Sequence, residues 1–229
     1  MIVGRLVQEA AQALAGLLRE KKLLGKIFTA SEFRAACAAY TVQYGALRAE
    51  VHYQAPKDIF WDDVAYRGEA YAAFAWAVYV AEVAVDMRTY STQVVNFYAL
   101  QEVGRVVNPL LATGQIEGGV AQGIGYALYE KVVWKSGRMS NNQMTNYIMP
   151  TSVDVPNIEV YFEEMPSEHG PYGAKGLGEL PHDGPAPAIL NAIQNATGIN
   201  FTSIPLLPED MYLRMAESPE AMEIAGSVK

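Results

Sequence analysis

The residues best suited to chemistry lie in segment 173–181, where one carboxylate, Glu179, follows a glycine-rich stretch. Three glycines within six residues let the backbone pass very close to a bulky neighbour. The sequence predicts a helix from about Gly184 and Pro185, so Glu179 stands just before a helix. A carboxylate in this setting suits general-base chemistry beside a cofactor. A structural turn with an exposed acid gives the same pattern, so both interpretations stay open.

The glycine order in this segment is G-x-x-G-x-G, which differs from the dinucleotide fingerprint G-x-G-x-x-G. No strongly apolar strand leads directly into it. A stand-alone nucleotide-binding domain is therefore disfavoured.

A second glycine-rich segment, 114–130, has the periodicity of a helix. Val120 and Ile124 recur four residues apart, and Gly119 and Gly123 stand one position before them. Each glycine inside a helix costs about 1 kcal/mol relative to alanine, so a bare helical backbone needs a reason. Tight packing against another helix and close contact with a cofactor are equally good reasons on this evidence.

These two segments resemble the molybdenum-binding subunit of the xanthine dehydrogenase and aldehyde oxidase family. Three further stretches match the family's pattern in the same order, namely 80–86, 102–109 and the predicted helix 185–196. The resemblance covers nearly the whole chain, but it is similar only to the last part of the family's subunit. It implies a molybdenum cofactor held by a pterin dithiolene.

The resemblance also assigns roles to individual residues. It implies that Glu179 is the general base, which removes a proton from a hydroxyl ligand of the molybdenum. Gln122 matches an amide position beside the cofactor. The remaining cofactor-binding residues that it implies are Gly123, Gly125, Lys175, Gly176 and Gly178, and no side chain of this chain is expected to bind the metal directly.

The implied activity is oxidative hydroxylation of a heterocycle or an aldehyde, with water as the source of oxygen. The implied partners are the remaining part of the molybdenum subunit, which shares the cofactor, an iron–sulfur subunit and a flavin (FAD) subunit. Two alternatives stay open: a subunit similar to 4-hydroxybenzoyl-CoA reductase, and a non-catalytic scaffold half of such a complex. The chain is expected to be inactive without its partners.

Composition narrows the possibilities further. The 229 residues carry a formal net charge of −8 without a cluster of lysine or arginine, which argues against a nucleic-acid partner. A single cysteine, Cys37, cannot form an internal disulfide or hold an iron–sulfur cluster. Residues 1–22 are amphipathic and contain Glu9 and Glu20, so they do not resemble a targeting sequence. We expect a cytoplasmic protein without a membrane span.

The predicted fold class is α+β, with mixed or antiparallel sheets and packed helices, as the resemblance also implies. Helices are predicted over 1–22, from a capping box at Thr29 and Glu32 to Tyr40, from Gly114, over 185–196 with Asp183 as cap, and from Pro208. Strands are predicted over 47–53, 71–86, 93–100 and 157–165, with 72–85 buried. Two halves are predicted, 1–110 and 111–229, with a mobile tail from Ser218.

Overall fold

The computed structural model describes residues 1–57 and 59–217, and the chain divides into two compact units. The first unit contains Met1–Phe74 and Pro166–Lys175, and the second contains Ala75–Met165 and the residues from Gly176 on. The sequence-based division into the halves 1–110 and 111–229 stays a prediction. The tail predicted to be mobile from Ser218 lies outside the described residues.

Two helices, α1 (Ile2–Glu20) and α2 (Ala30–Tyr44), lie in the first unit. A small core joins them, in which Ala15 and Leu18 of α1 are buried together with Leu24 and Ala36. The predicted capping box is confirmed, because the Thr29 side chain accepts the Glu32 N–H and the Glu32 side chain accepts the Thr29 N–H. Helix α2 continues four residues past the predicted end.

The strand predicted over 47–53 is wrong. Its residues alternate between half-buried and exposed as a strand would, but no second strand of the described chain pairs with them. The irregular link that follows contains one short antiparallel pair, β1 (Trp61–Asp62) and β2 (Arg67–Gly68). The Asp62 carboxylate closes the turn between them by accepting the N–H groups of Val64 and Ala65.

A three-stranded sheet is the centre of the second unit. Strands β3 (Trp76–Asp86) and β4 (Ser91–Glu102) form the predicted antiparallel hairpin. After a small separate pair, β5 (Trp134–Lys135) and β6 (Arg138–Met139), strand β7 (Asn157–Glu163) joins β4 in parallel. The sheet order is β3-β4-β7, and the α+β class with mixed and antiparallel sheets is confirmed.

The described residues of the second unit also form four helices: α3 (Pro109–Leu128), α4 (Leu180–Asp183), α5 (Pro185–Thr197) and α6 (Pro208–Ala216). Helix α5 packs on β3, and α3 packs on α4, α5 and β7. The core between them is aliphatic and aromatic, and its fully buried members include Phe97, Ile116, Ile124, Ile189 and Ile193.

Helix α3 begins five residues before the predicted start at Gly114. Asn108 is its N-cap, because the Asn108 side-chain oxygen accepts the N–H of Leu111 at 3.1 Å, and Pro109 occupies the first helical position. Asn before Pro is a good helix start, since the amide caps a free N–H and proline lacks one.

The cap predicted for α5 is also wrong. Asp183 belongs to α4, and the N-cap of α5 is Gly184, which makes no side-chain cap hydrogen bond. The backbone is already helical at Gly184, whereas a capping side chain needs an extended backbone at its own position. Helix α5 ends at Gly198, whose φ of +74° is in the left-handed region that favours glycine.

Strand β3 is buried on one face only, so the prediction of a buried strand over 72–85 holds for half of its side chains. The face with Ala77, Tyr79 and Ala81 is half-buried, whereas Trp76 and Val78 on the other face are exposed. Helix α5 packs on β3, so the half-buried face, with Ala77, Tyr79 and Ala81, is the one that this helix covers.

Candidate functional site

Two prolines pack against α3 at positions where the helix has glycines and therefore no side chains. A Cβ atom added at Gly119 would lie 2.7 Å from the Cβ of Pro181, and one at Gly123 would lie 2.6 Å from the Cβ of Pro185. Both glycines are buried. Tight helix packing, one of the two reasons that the sequence left open, therefore accounts for the missing side chains at these positions.

Gly125 lies in a similarly filled place. A Cβ atom there would lie 2.8 Å from Pro150 and would also overlap the side chain of Glu130. The Glu130 carboxylate in turn accepts a hydrogen bond from the Tyr147 hydroxyl at 2.8 Å, which raises the pKa of Tyr147. Gly125 thus lets the loop after α3 fold back against the helix.

A different face of α3 is open to solvent. Gly118, Gln122 and Tyr126 follow one another at helical spacing, and all three are exposed. A Cβ atom added at Gly118 would meet nothing within 4 Å. The Gln122 amide makes no hydrogen bond within the described chain, so both its donor and its acceptor groups are available to a ligand.

The loop before Glu179 is open as well. Gly176 and Gly178 are exposed, and a Cβ atom on either one would meet nothing within 4 Å. Neither glycine has the positive φ that would demand glycine for the turn itself, whereas Gly173 does, with φ at +89°. Lys175, half-buried, is the last residue of the first unit before the chain enters the second.

Glu179 is the N-cap residue of α4, but its side chain does not cap the helix. Its carbonyl oxygen accepts the N–H of His182 at 2.9 Å, and its side chain is exposed. Pro181, two residues later, is buried against Gly119 of α3. The backbone around Glu179 is therefore fixed to α3, while its carboxylate remains free for chemistry.

Two aromatic contacts hold α4 in place. The Tyr79 hydroxyl donates a hydrogen bond to the Leu180 carbonyl oxygen at 2.6 Å, and the ring of Tyr126 lies 5.9 Å from that of His182, centroid to centroid. Burial raises the pKa of Tyr79, and the nearby charge of Asp183 raises it further. No motif or spacing marked Tyr79 in the sequence, because its partner is about one hundred positions further along the chain.

The structure places predicted cofactor-binding residues on α3 and the predicted base next to a helix that packs on α3. Gln122 and Gly123 lie on α3, which packs directly on α4, and Glu179 begins α4. Within the described residues no group of histidine, cysteine and acidic side chains could hold a metal ion. The open glycines and the neutral amide fit the organic part of a large cofactor, since they allow close approach and supply hydrogen bonds without charge.

None of the helices in the described part of the chain is both long and apolar enough to pass through a lipid bilayer.

Comparison with known proteins identifies the class to which this fold and site belong. The molybdopterin cofactor-binding domain family matches residues 2–156, which include Gln122, Gly123 and Gly125 and end before the Glu179 loop. The match covers more than half of the chain. The chain therefore belongs to this family.

Individual relatives agree with this assignment. A putative xanthine dehydrogenase molybdenum-binding subunit of Escherichia coli K12 is 38% identical over 133 residues, which is 57% of this chain and 18% of that protein. The aldehyde oxidoreductase of Megalodesulfovibrio gigas is 35% identical over 149 residues, covering 65% of this chain and 16% of the relative.

A solved structure, that of the aldehyde oxidoreductase from Desulfovibrio desulfuricans, superimposes with a TM-score of 0.69 at 30% identity. The superposition covers 83% of this chain and 20% of that one. The chain thus spans about a fifth of the length of these relatives.

Proposed function

We propose that this chain is the part of a molybdopterin-dependent oxidoreductase that carries the general base, Glu179. One observation supports this proposal most directly. The Glu179 carboxylate is exposed and makes no cap hydrogen bond, although its backbone begins a helix packed on the glycine-rich α3. The backbone of Glu179 is helical, with φ at −87° and ψ at −37°, so its side chain does not cap the helix, and the exposed carboxylate is available for proton transfer.

The residues that hold the cofactor are proposed to lie on the open sides of α3 and of the Glu179 loop. Gln122 donates a hydrogen bond from its amide, and Gly176 and Gly178 permit close approach. Lys175 precedes them in the loop as a basic residue. The molybdenum–molybdopterin cofactor, when bound, supplies the centre that takes two electrons from the substrate.

Gly123 and Gly125 contribute to the same cofactor site through packing. Because Pro185 of α5 lies on Gly123 and Pro150 lies on Gly125, α3 is held against α5 and against the loop that contains Pro150. Gln122, next to Gly123 in the chain, is thereby kept at a fixed place relative to Glu179. Their role as cofactor-binding residues is thus proposed to be indirect.

The reaction proposed for the complete enzyme is oxidative hydroxylation of an aldehyde or an electron-poor heterocycle. The names of the relatives, xanthine dehydrogenase and aldehyde oxidoreductase, support this range of substrates. The Glu179 carboxylate takes up the proton released as the oxygen derived from water becomes nucleophilic. The remaining part of the molybdenum subunit, an iron–sulfur chain and a flavin chain complete the proposed assembly in the cytoplasm.

The test of this proposal is the substitution Glu179→Gln in the holoenzyme, which removes the base and keeps the size of the side chain. Turnover is measured with purines, N-heterocycles and aldehydes and a dye as electron acceptor. We expect kcat to fall by about 10²- to 10⁴-fold, the usual contribution of general-base catalysis, with molybdenum content unchanged.

The matched control is Glu163→Gln, which changes an exposed acid at the end of β7. Its turnover should equal that of the unmodified enzyme. Unchanged turnover in Glu179→Gln would instead favour a non-catalytic scaffold role for this chain.

A further inference from the structure

The peptide that follows Glu179 is held by a side chain from a distant strand. Tyr79 lies on the face of β3 that packs against α5, and its hydroxyl donates to the Leu180 carbonyl oxygen at 2.6 Å. Leu180 is the residue directly after Glu179. A single hydrogen bond therefore connects the sheet to the backbone that carries the proposed base.

The ring of Tyr79 makes a second contact, at the other end of α4. A Cβ atom added at Gly184 would overlap the Cδ2 and Cε2 atoms of the Tyr79 ring. Only glycine leaves room for the ring at this position. Tyr79 consequently contacts both ends of the four-residue helix α4, with its hydroxyl at Leu180 and its ring at Gly184.

A buried side-chain amide lies next to the Tyr79 hydroxyl. Gln101 on β4 is fully buried, its Oε1 lies 3.4 Å from the Tyr79 hydroxyl oxygen, and its Nε2 has no partner among the described residues. The single proton of the hydroxyl is already donated to Leu180, but the hydroxyl oxygen can still accept. When the Gln101 amide is oriented with Nε2 towards Tyr79, Nε2 donates a hydrogen bond to the Tyr79 hydroxyl oxygen. The amide nitrogen and the hydroxyl oxygen then each have a partner.

Burial raises the pKa of Tyr79, and Asp183 raises it further, while the hydrogen bond with Gln101 lowers it. The net shift is upward, so the phenol stays protonated, and remains a donor, throughout the neutral range. A donor that does not titrate near neutral pH gives the Leu180 carbonyl the same partner at every working pH.

We propose that Tyr79 is a positioning residue for Glu179: its hydroxyl and ring fix both ends of α4, and thereby hold the Glu179 carboxylate where it accepts the proton. The inference rests on the proposed role of Glu179 as general base. General-base catalysis requires the carboxylate within hydrogen-bond reach of the proton, and a misplacement of about 1 Å costs up to about 10²-fold in rate.

The test is Tyr79→Phe in the holoenzyme, which removes one oxygen atom and keeps the ring against Gly184. We expect kcat to fall about 10-fold, with KM within about 2-fold, because substrate binding does not use this hydrogen bond. Molybdenum content should be unchanged. The matched control is Tyr98→Phe, since Tyr98 pairs with Val80 and so lies on the opposite face of the sheet from Tyr79.

A second readout does not depend on activity. Hydrogen–deuterium exchange followed by mass spectrometry reports the opening of peptides that contain residues 180–184. These amides should exchange about 10-fold faster in Tyr79→Phe and at the unmodified rate in Tyr98→Phe. Replacement of Tyr79 by 4-aminophenylalanine, which keeps an N–H donor at the same place, should restore both the exchange rate and kcat.

A double-mutant cycle separates this inference from the proposed function. If Tyr79 acts through Glu179, then Tyr79→Phe causes no further loss of kcat in an enzyme that already carries Glu179→Gln. Two results overturn the positioning role and leave the base assignment intact. One is an equal loss of kcat from Tyr79→Phe in the unmodified enzyme and in Glu179→Gln. The other is an unchanged kcat and an unchanged exchange rate in Tyr79→Phe alone. Full turnover in Glu179→Gln overturns the base assignment, and the exchange data then decide alone whether Tyr79 anchors α4.

Discussion

At the scale of single residues, glycine has two different uses on the same helix. Gly119 and Gly123 are covered by prolines, whereas Gly118, next to the first of them, faces open space. Sequence alone treats the three alike, because each interrupts a helical pattern with a bare backbone. Only the identity of the neighbouring atoms separates a glycine required by packing from one that leaves a surface open.

Alanine substitutions at these positions should therefore have opposite effects on stability. Gly123→Ala forces a methyl group into the ring of Pro185 and should lower the free energy of unfolding by about 1–3 kcal/mol. Gly118→Ala adds a methyl group in open space and should raise it by up to about 1 kcal/mol through helix propensity. Denaturant unfolding of the two variants measures both changes in the free energy of unfolding. Changes of the same sign in both variants would contradict the packing described for α3.

At the scale of elements, the short helix α4 decides where Glu179 lies. It has four residues, and such a helix is not stable alone, since its hydrogen bonds do not offset the entropy of nucleation. Its position depends on Pro181 against α3 and on Tyr79 of β3. The placement of the carboxylate is thus a property of tertiary packing.

The N-terminus of α2 gives a pH-dependent prediction. The backbone N–H of Thr29, and then its hydroxyl, donate to the Glu32 carboxylate and lower the pKa of Glu32. A lowered pKa in the folded state means that the stabilisation is present above the unfolded-state pKa and is lost as pH falls through the folded-state value. The first turn of α2 should therefore become less protected on acidification below about pH 4.

An NMR titration of the Glu32 side-chain resonances measures this pKa directly. Thr29→Ala removes the hydroxyl that completes the capping box, so the pKa of Glu32 should rise towards its ordinary value in that variant. An unchanged titration midpoint would show that the capping box does not form in solution.

Elements with a strong local signal were predictable from the sequence. Each of these signals lies within a window of about ten residues. They are the amphipathic pattern of α1, the capping box of α2 and the alternation in β3 and β4. The strand predicted over 47–53 failed because pairing depends on a partner strand, which local alternation does not reveal. The start of α3 at Asn108 could have been predicted from the sequence, since Asn before Pro is a known helix start.

The candidate site was predictable only in part. The glycine spacing and the carboxylate pointed to Glu179, and the family resemblance pointed to Gln122. The structure places Gln122 on α3 and Glu179 directly before α4, which packs on α3. Tyr79 was not predictable, because its hydrogen bond to Leu180 joins residues far apart in the chain. The cap predicted at Asp183 failed because α4 already occupies the residues where a cap would stand.

At the scale of the whole molecule, the two units differ in the size of their cores. Among the described residues, four buried residues form the core of the first unit, and sixteen form that of the second. Because buried apolar surface is the main favourable contribution to folding, the first unit should be the less stable of the two.

Hydrogen exchange of the chain should show this difference. Amides of α1 and α2 should exchange through local opening at lower denaturant concentration than amides of β4 and α3. The comparison is internal, so each sample supplies its own control. A single cooperative transition for both sets of amides would indicate that the two units unfold together.

The parallel pairing of β4 with β7 has a consequence for the order in which the chain folds. Strands β3 and β4 are joined by four residues, so their pairing is local in the sequence. Leu100 of β4 pairs with Tyr161 of β7, and all of α3 lies between these two residues in the chain. Contacts that are distant in sequence form late, because a long loop must close first. Glu179 lies beyond β7, and the elements that hold it, β3 and α3, both precede it. During synthesis from the N-terminus the carboxylate is therefore made only after β3 and α3, the two elements against which α4 packs.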